Sequence, residues 1–316
     1  MSSGNIVFFG TSWVGIPFLQ ELIKTFSLRL IITQPDSKGG RCREIICPPV
    51  KSFAETHHLP LLQPEKMRDQ ELFEAINRIK PDIGVVIGYG KLIPERLYSL
   101  PAFNTVNVHF SLLPRFRGAA PVQRALEAGE KRTGISIFEI DRQMDTGPLW
   151  ARKEFNILPM DTSESLMERL SREGSPFLSE TIQRILDGSL RPQPQDNSLA
   201  SYAPPLQKKE GRVDWNLTAR QIFNKYRAFT PWPGLFFLMN GKTMKIKKAL
   251  PPGTIDRKTL TGLEKPGQIL ELSRNRLQVC CGNQTVLSIE EFQPQGKKAM
   301  TPYCYSLGNP LPELLN

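Results

Sequence analysis

Asn107 and His109 are the two residues whose types and spacing are best suited to chemistry. They lie two positions apart in or just after a short run, residues 104–108, that predicts a β-strand, so both side chains should point to the same side. A carboxamide can donate to a carbonyl oxygen, and an imidazole can transfer protons. The pair therefore suits carbonyl chemistry, although a core asparagine and a half-buried histidine that bond the backbone are at least as common.

A loop rich in arginine, proline and glycine follows His109, and a helical pattern begins at Pro121. The pair is thus expected at the carboxyl end of a strand, the edge where open α/β sheets bind ligands. A further candidate, Asp145, lies in a turn after the strand predicted at residues 133–139. A loop aspartate, whether Asp145 or Asp141, usually makes only a local turn bond.

The elements that must position these residues alternate along the first part of the chain. Strands are predicted at residues 6–9, 28–32, 83–87, 104–108 and 133–139, and helices at 13–26, 50–58, 69–80, 163–186 and from 121 onward. Strands with little polar interruption are typical of a parallel sheet covered on both faces. We therefore expect an α/β fold with a Rossmann-like, doubly wound sheet. The glycines of GTSWVG do not match dinucleotide-binding spacing, so no dinucleotide cofactor is expected.

The sequence changes character after residue 188. Residues 188–205 are rich in proline and polar residues, which predicts a linker. Beyond them, a helix is predicted at residues 218–228, and strands at 235–239, 244–250, 269–272, 277–281 and 286–292. Asn240-Gly241 is a strong hairpin signal, and about five short strands favour a small OB-like β-barrel. We expect domains at residues 1–188 and 208–316, joined by a linker at 189–207.

The net charge of +10 is concentrated in the second part of the chain. Residues 1–207 contain 24 Lys or Arg and 23 Asp or Glu, whereas residues 208–316 contain 17 and 8. A nearly neutral part joined to a basic part suggests a catalytic unit joined to a module that binds a polyanion. Nucleic acid is the leading candidate for that polyanion. A basic face that is merely solvated explains the charge equally well.

The connection at residues 34–49 is long for an α/β unit, and its glycines and basic residues could let it hold a phosphate backbone. An ordinary solvent-exposed loop explains it as well. The five cysteines show neither a disulfide framework nor zinc-site spacing. Because no membrane-length apolar run or secretory signal is found, we expect a cytoplasmic protein. We also expect no metal, given the cysteine spacing, and a monomer.

Together these motifs resemble the formyl-tetrahydrofolate-dependent formyltransferase family. The similarity covers residues 5–300 and rests on TQPD (33–36), PVK (49–51), NVHFSLLPRFRGAAP (107–121), MDTG (144–147), AFTPWP (228–233) and GKKAM (296–300). PWP and GKKAM in a basic module resemble the members that act on tRNA. The resemblance implies formyl transfer from 10-formyltetrahydrofolate to the α-amino group of methionyl initiator tRNA, with an OB-like domain that holds the tRNA.

The resemblance also implies a catalytic trio: Asn107, His109 and Asp145. The methionyl amine must attack while uncharged, and free α-amino groups titrate close to neutral pH. Asn107 and a protonated His109 would stabilise the oxyanion, and one such donor is typically worth about 3–4 kcal/mol. Asp145 would orient His109 and help to pass protons through a bound water.

The folate-contacting positions of the family motif match Ser111, Leu112, Leu113 and Pro114, whose backbone groups would hold the folate. Arg41 matches a loop arginine that contacts the acceptor end of the tRNA, and Lys38 and Arg43 are expected to bind tRNA beside it. Two departures from the family pattern affect these sites. Phe110 replaces a small residue near the folate, and Glu44 replaces a basic residue of the loop.

Other functions are compatible with parts of this pattern. A glycinamide-ribonucleotide formyltransferase, an amino-sugar formyltransferase or a formyl-tetrahydrofolate hydrolase would keep the folate chemistry, but the basic second part argues against all three. A non-catalytic RNA-binding protein would not need the Asn/His/Asp trio, and the trio is intact.

Overall fold

The computed structural model describes residues 4–39, 44–253 and 263–315. The chain divides into two compact units. The first comprises Met1–Pro121, Arg132–Phe155 and Met167–Ala203; the second comprises Val122–Lys131, Asn156–Leu166 and Pro204–Asn316. No helix within the described ranges is long and apolar enough to cross a membrane.

Strands and helices alternate in the first half, and strands dominate the end of the chain. The strands are β1 (Asn5–Gly10), β2 (Ser27–Ile32), β3 (Ser37–Gly39), β4 (Glu44–Ile46), β5 (Leu61–Leu62), β6 (Ile83–Ile87), β7 (Thr105–His109), β8 (Arg132–Glu139), β9 (Leu149–Asn156), β10 (Phe236–Met239), β11 (Lys242–Leu250), β12 (Ile269–Leu272), β13 (Leu277–Cys281) and β14 (Thr285–Pro294). The helices are α1 (Ile16–Thr25), α2 (Pro49–Thr56), α3 (Gln70–Ile79), α4 (Glu95–Tyr98), α5 (Pro121–Glu127), α6 (Ser163–Leu186), α7 (Ala219–Phe229) and α8 (Pro302–Ser306).

A seven-stranded sheet with the order β5-β2-β1-β6-β7-β8-β9 forms the first unit. Its core, from β5 to β7, is parallel. Every residue of β6 is buried, so both faces of the sheet are covered there. However, β8 runs antiparallel to β7, and the expectation of a wholly parallel sheet is wrong at this edge. An apolar run reports the burial of a strand but not its direction, which is why the sequence pattern did not distinguish the two.

Several elements of this unit were not predicted, among them the short edge strand β5 and the one-turn helix α4. Within the connection at residues 34–49, β3 and β4 form a short antiparallel pair. The strand β9 adds to the sheet next to β8, but its middle residues are exposed and charged, so it lacks the alternation that marks a half-buried strand.

Helix α3 shows how the apolar pattern builds the core of the sheet. Leu72 and Ile76, one helical turn apart, are buried in a cluster with Val7 and Phe9 of β1. Each such apolar side chain contributes roughly 1.5–3 kcal/mol when it is fully buried. The Asp69 side chain caps the helix by accepting a backbone N–H of the first turn. The helix predicted at residues 69–80 is therefore confirmed.

The second unit contains a five-stranded antiparallel sheet with the order β10-β11-β14-β13-β12. Met239 pairs with Lys242, which confirms the predicted hairpin between β10 and β11. At its tip, Asn240 and Gly241 have φ values of 50° and 72°. Both therefore adopt the left-handed conformation that a two-residue hairpin turn requires.

Candidate active site

β7 positions the first two candidate residues at the point where the parallel core meets the antiparallel edge. Asn107 pairs with Val86 on one side and Phe138 on the other, and His109 is the last residue of the strand. Asn107 is partly exposed, and its carboxamide makes no hydrogen bond to another residue of the described chain. The amide is therefore an open donor on the side of β7 that also carries His109.

The His109 ring is buried, is held by a hydrogen bond from one nitrogen, and faces the Asp145 carboxylate with the other. Its Nε2 lies 2.9 Å from the carbonyl oxygen of Phe116, and because a carbonyl only accepts, Nε2 must be the donor. Its Nδ1 lies 3.6 Å from Oδ2 of Asp145. The ring therefore has a fixed orientation, and a proton that reaches Nδ1 would meet the Asp145 carboxylate.

Asp145 reaches His109 by a route that the sequence did not show. Because β8 is antiparallel to β7, its last residue, Glu139, lies opposite Val106 and not opposite His109. The loop at residues 140–148 folds back and brings the carboxylate to the histidine. There Oδ2 also accepts the backbone N–H of Gly118 at 2.7 Å.

Asp141, the other aspartate of this turn, has the local role that the sequence suggested. Its carboxylate accepts the backbone N–H of Gln143 at 3.0 Å and the Thr146 hydroxyl at 2.8 Å. Asp145 differs, because its carboxylate faces Gly118 and His109.

Two residues of the site adopt a strained backbone conformation. Phe116, whose carbonyl holds His109, has φ 60°, and Asp145 has φ 58°. A residue other than glycine costs on the order of 1–3 kcal/mol in this region and persists only when its surroundings enforce it. Here Ser201 Oγ accepts the N–H of Phe116 at 2.9 Å, and Gln195 Nε2 donates to the carbonyl of Asp145 at 2.9 Å.

Gln195 and Ser201 were not singled out from the sequence, because they lie in the segment predicted as a linker. The proline-rich composition of this segment predicts a flexible connection, so no structural role was expected for either residue. The available signal was the run of Gln, Asp, Asn and Ser at residues 195–198, since such side chains often bond backbone groups of nearby loops.

The stretch predicted to contact folate, residues 111–114, is closely tied to its surroundings. Ser136 Oγ donates to the Ser111 carbonyl at 2.7 Å and accepts the Leu113 N–H at 3.0 Å. Arg152 Nη1 donates to the Leu113 carbonyl at 2.8 Å. The backbone groups expected to hold the ligand therefore already have internal partners, so this stretch forms a rigid wall; a carbonyl oxygen keeps a second lone pair for a ligand.

The chemistry of the site fits the formyl donor that the family resemblance implies at one point, the Asn107 amide. Asn107 offers an open amide for a formyl oxygen. Within residues 4–39, 44–253 and 263–315, no group of His, Cys, Asp or Glu side chains could hold a metal ion.

The basic loop predicted to bind tRNA is only partly described. Arg41, Arg43 and the side chain of Lys38 lie outside the described residues. The start of the loop is anchored at Asp36, which accepts from Gln63 at 2.9 Å and from Lys51 at 2.7 Å. These two hydrogen bonds hold the pKa of Asp36 below its ordinary value.

The mixed α/β sheet presents an open carboxamide and a histidine–aspartate pair, an arrangement suited to an enzyme that transfers an acyl group. Comparison with known families identifies the kind of acyl group. Residues 5–182 match the family described as "Formyl transferase", and residues 205–309 match "Formyl transferase, C-terminal domain". The chain belongs to the formyl transferase family.

Curated relatives align with almost the whole chain. It is 37% identical over 309 residues to the methionyl-tRNA formyltransferase of Geobacter metallireducens, covering 98% of this chain and 96% of the relative. It is 40% identical over 303 residues to the enzyme of that name from Thermodesulfovibrio yellowstonii, covering 95% and 94%. The N-formyltransferase of Helicobacter canadensis, solved with folinic acid and dTDP-3-aminofucose, shares the fold with a TM-score of 0.67, at 18% identity over 92% of this chain and 99% of that one.

Proposed function

We propose that this protein transfers the formyl group of 10-formyltetrahydrofolate to the α-amino group of methionyl initiator tRNA, which gives formylmethionyl-tRNA for translation initiation. One observation carries the proposal. The open Asn107 carboxamide lies on the same side of β7 as the His109–Asp145 pair, in a chain that aligns almost end to end with methionyl-tRNA formyltransferases.

The division of labour follows the two parts of the chain. Residues 1–188 are a Rossmann-like catalytic domain, and residues 208–316 are an OB-like domain that holds the tRNA. Residues 189–207 connect them, and the connection packs with the first compact unit as far as Ala203. The excess of 17 Lys or Arg over 8 Asp or Glu in the last part supports a polyanionic partner. Lys38, Arg41 and Arg43 contact the acceptor end of the tRNA. The enzyme acts as a monomer.

The residues 111–114 hold the donor, which when bound supplies an electrophilic formyl carbon next to β7. As the amine attacks, negative charge develops on the formyl oxygen. The Asn107 amide donates to this oxygen from a backbone position that β7 fixes. One such donor is typically worth about 3–4 kcal/mol of transition-state stabilisation.

His109 and Asp145 handle the proton. The attacking amine forms a new N–C bond and must lose a proton as the bond between the formyl carbon and the donor nitrogen breaks. His109 Nδ1 accepts this proton next to the Asp145 carboxylate and returns it through water to the leaving nitrogen. Because Nε2 already donates to Phe116 and Nδ1 faces Asp145, this proton transfer replaces the expected donation from a protonated His109 to the oxyanion. The hydrogen bond from Nε2 to Phe116 holds the ring in position during both transfers.

The test is a transfer assay with a donor labelled in the formyl group. The protein is mixed with methionine-charged initiator tRNA, and label is expected in the methionine released from the tRNA. A parallel reaction with a nucleotide-linked amino sugar is expected to give none. Absence of label in methionine, or faster transfer to the sugar, would show that the acceptor is assigned wrongly.

A further inference from the structure

Residues 193–203, which we call the brace, bond to both loops of the site. At one end, backbone hydrogen bonds join Gln193 to Leu149, at 2.7 and 2.8 Å. At the other end, the Arg117 N–H donates to the Ser201 carbonyl at 2.8 Å, and the Ala203 N–H donates to the Arg117 carbonyl at 2.6 Å. The brace is therefore part of the first compact unit and lies along its active-site loops.

Gln195 is the most fully bonded side chain of the brace. Its Oε1 accepts from Arg117, at 3.2 Å from Nε and 2.7 Å from Nη2. Its Nε2 donates to the carbonyl oxygens of Asp145 at 2.9 Å and Gly147 at 2.8 Å. A carboxamide has two acceptor and two donor positions, and here all four are occupied.

The chemistry of the partners fixes which way the Gln195 amide points. A guanidinium only donates, so Oε1 must face Arg117; a carbonyl only accepts, so Nε2 must face the Asp145 loop. The Arg117 side chain is buried and is itself held by Asn197 Oδ1 at 2.8 Å. Gln195 therefore transmits the position of a fixed arginine to the backbone of the loop.

Ser201 acts on His109, the other member of the His109–Asp145 pair, through Phe116. Its Oγ accepts the N–H of Phe116 at 2.9 Å, and the carbonyl of the same residue accepts from His109 Nε2 at 2.9 Å. Phe116 and Asp145, the two strained residues next to His109, are thus both held by side chains of the brace.

We propose that Gln195 and Ser201 are positioning residues that set the approach of Asp145 to His109. The inference rests on the proposed function, since it assigns these residues a role in the same formyl transfer. Neither side chain needs to touch substrate. Their effect should therefore appear in the rate of the chemical step and not in the affinity for tRNA.

Gln195→Glu separates positioning from stability. The variant keeps the shape of the side chain and gives Arg117 a charged partner, but it replaces the two donors to the Asp145 loop with an acceptor. If Gln195 only satisfied Arg117, the variant would be as active as the wild type. Gln193→Glu is the matched control, because it makes the same change two residues away on an exposed side chain.

The measurement is the single-turnover formylation rate of the full chain at saturating donor and charged initiator tRNA, with tRNA affinity and thermal unfolding measured beside it. For Gln195→Glu we expect the rate to fall about tenfold to a hundredfold, because small misplacements at a reacting centre have effects of this size. The tRNA affinity should stay at the wild-type value, and the rates are compared at a temperature at which the unfolding curves show both proteins to be folded. Gln193→Glu should match the wild type throughout.

The outcomes distinguish the two proposals. A wild-type protein that does not formylate methionyl-tRNA refutes the proposed function. An active wild type together with a Gln195→Glu rate within twofold of it refutes the role of the brace. If Gln195→Glu does not fold, Ser201→Ala is tested in its place, with Ser198→Ala as its control. Slower formyl transfer by Ser201→Ala at unchanged tRNA affinity supports the role of the brace, and a wild-type rate refutes it.

Discussion

Two arginines, one in each compact unit, are held in opposite ways. In the first, buried Arg117 donates to the neutral amide oxygens of Gln195 and Asn197. In the second, Arg124 is more exposed and pairs with the carboxylates of Glu127 and Glu210, each at 2.7 Å. The hydrogen bonds of Arg117 fix the orientation of the Gln195 amide and do not depend on pH. The ion pairs of Arg124 stabilise the folded second unit through charge. We therefore expect changes in the first unit to alter the rate of chemistry, and changes in the second to alter binding or stability.

The largest effect is expected for Asn107→Ala, which removes the open donor of the first unit. The formylation rate should fall about 100-fold to 1000-fold, as is found when an oxyanion donor is lost. The affinity for charged tRNA should not change, and the single-turnover rate and the dissociation constant measured together test both statements. Asn77→Ala, on an exposed position of α3, is the control. A near-wild-type rate for Asn107→Ala would remove this residue from the mechanism.

Asp145→Asn should have the next largest effect. The change keeps an oxygen for the Gly118 N–H but removes the negative charge that faces His109. We expect the transfer rate to fall by about 100-fold, at the lower end of what proton-transfer groups contribute. Asp141→Asn, in the same turn, is the control in single-turnover assays. If the two variants lose equal activity, the loss reflects the fold of the turn and not the charge on Asp145.

The contribution of the second unit to tRNA affinity should depend on salt concentration, whereas the rate of the chemical step in the first unit should not. Lys297 and Lys298 are exposed in the GKKAM motif, and we expect them to contact phosphates. Changing both to alanine should weaken tRNA binding and reduce the dependence of affinity on salt by about two contacts, while the rate at saturating tRNA is retained. Binding titrations at several salt concentrations measure this, with Lys24→Ala in α1 as the control. An unchanged salt dependence would mean that these lysines face solvent only.

The smallest effect, on stability alone, is expected for Glu210→Gln. The hydrogen bond from Arg124 lowers the pKa of Glu210, so the folded state favours the carboxylate more than the unfolded chain does. This contribution is present above the ordinary carboxyl pKa and is lost as pH falls through the lowered value. The variant should lose about 1 kcal/mol of unfolding free energy at pH 7, and the difference should disappear at an acid pH below the lowered pKa of Glu210.

Urea unfolding at the two pH values measures this difference, and Glu65→Gln at an exposed position is the control. A loss that is equal at both pH values would contradict the ionic origin. The formylation rate at neutral pH should be that of the wild type, since Glu210 belongs to the second unit.

Local features of the site were predictable from the sequence. The alternation of residues along β7 put Asn107 and His109 on one side, because neighbouring side chains in a strand point in opposite directions. The hairpin at Asn240-Gly241 followed equally directly from backbone conformation. Both depend on interactions between residues close in sequence.

The features of the site that the sequence did not predict depend on contacts between residues far apart in the chain. The direction of β8 decides how Asp145 approaches His109, and an apolar run does not encode direction. Gln195 contacts a carbonyl fifty positions earlier in the chain, from within a proline-rich segment that looks like a flexible connection. Because the hydrogen bonds of such a residue are all made to backbone and arginine far away in sequence, its composition alone does not reveal them.

The position of the brace in the chain also determines when the site can be completed during synthesis. The ribosome produces the strands of the large sheet and both members of the His109–Asp145 pair before Gln195 and Ser201. Domains fold from the amino terminus as they emerge. A nascent chain can therefore form the sheet while the Asp145 loop still lacks its partners, and the site is held in its final geometry only after residue 203 has left the exit tunnel.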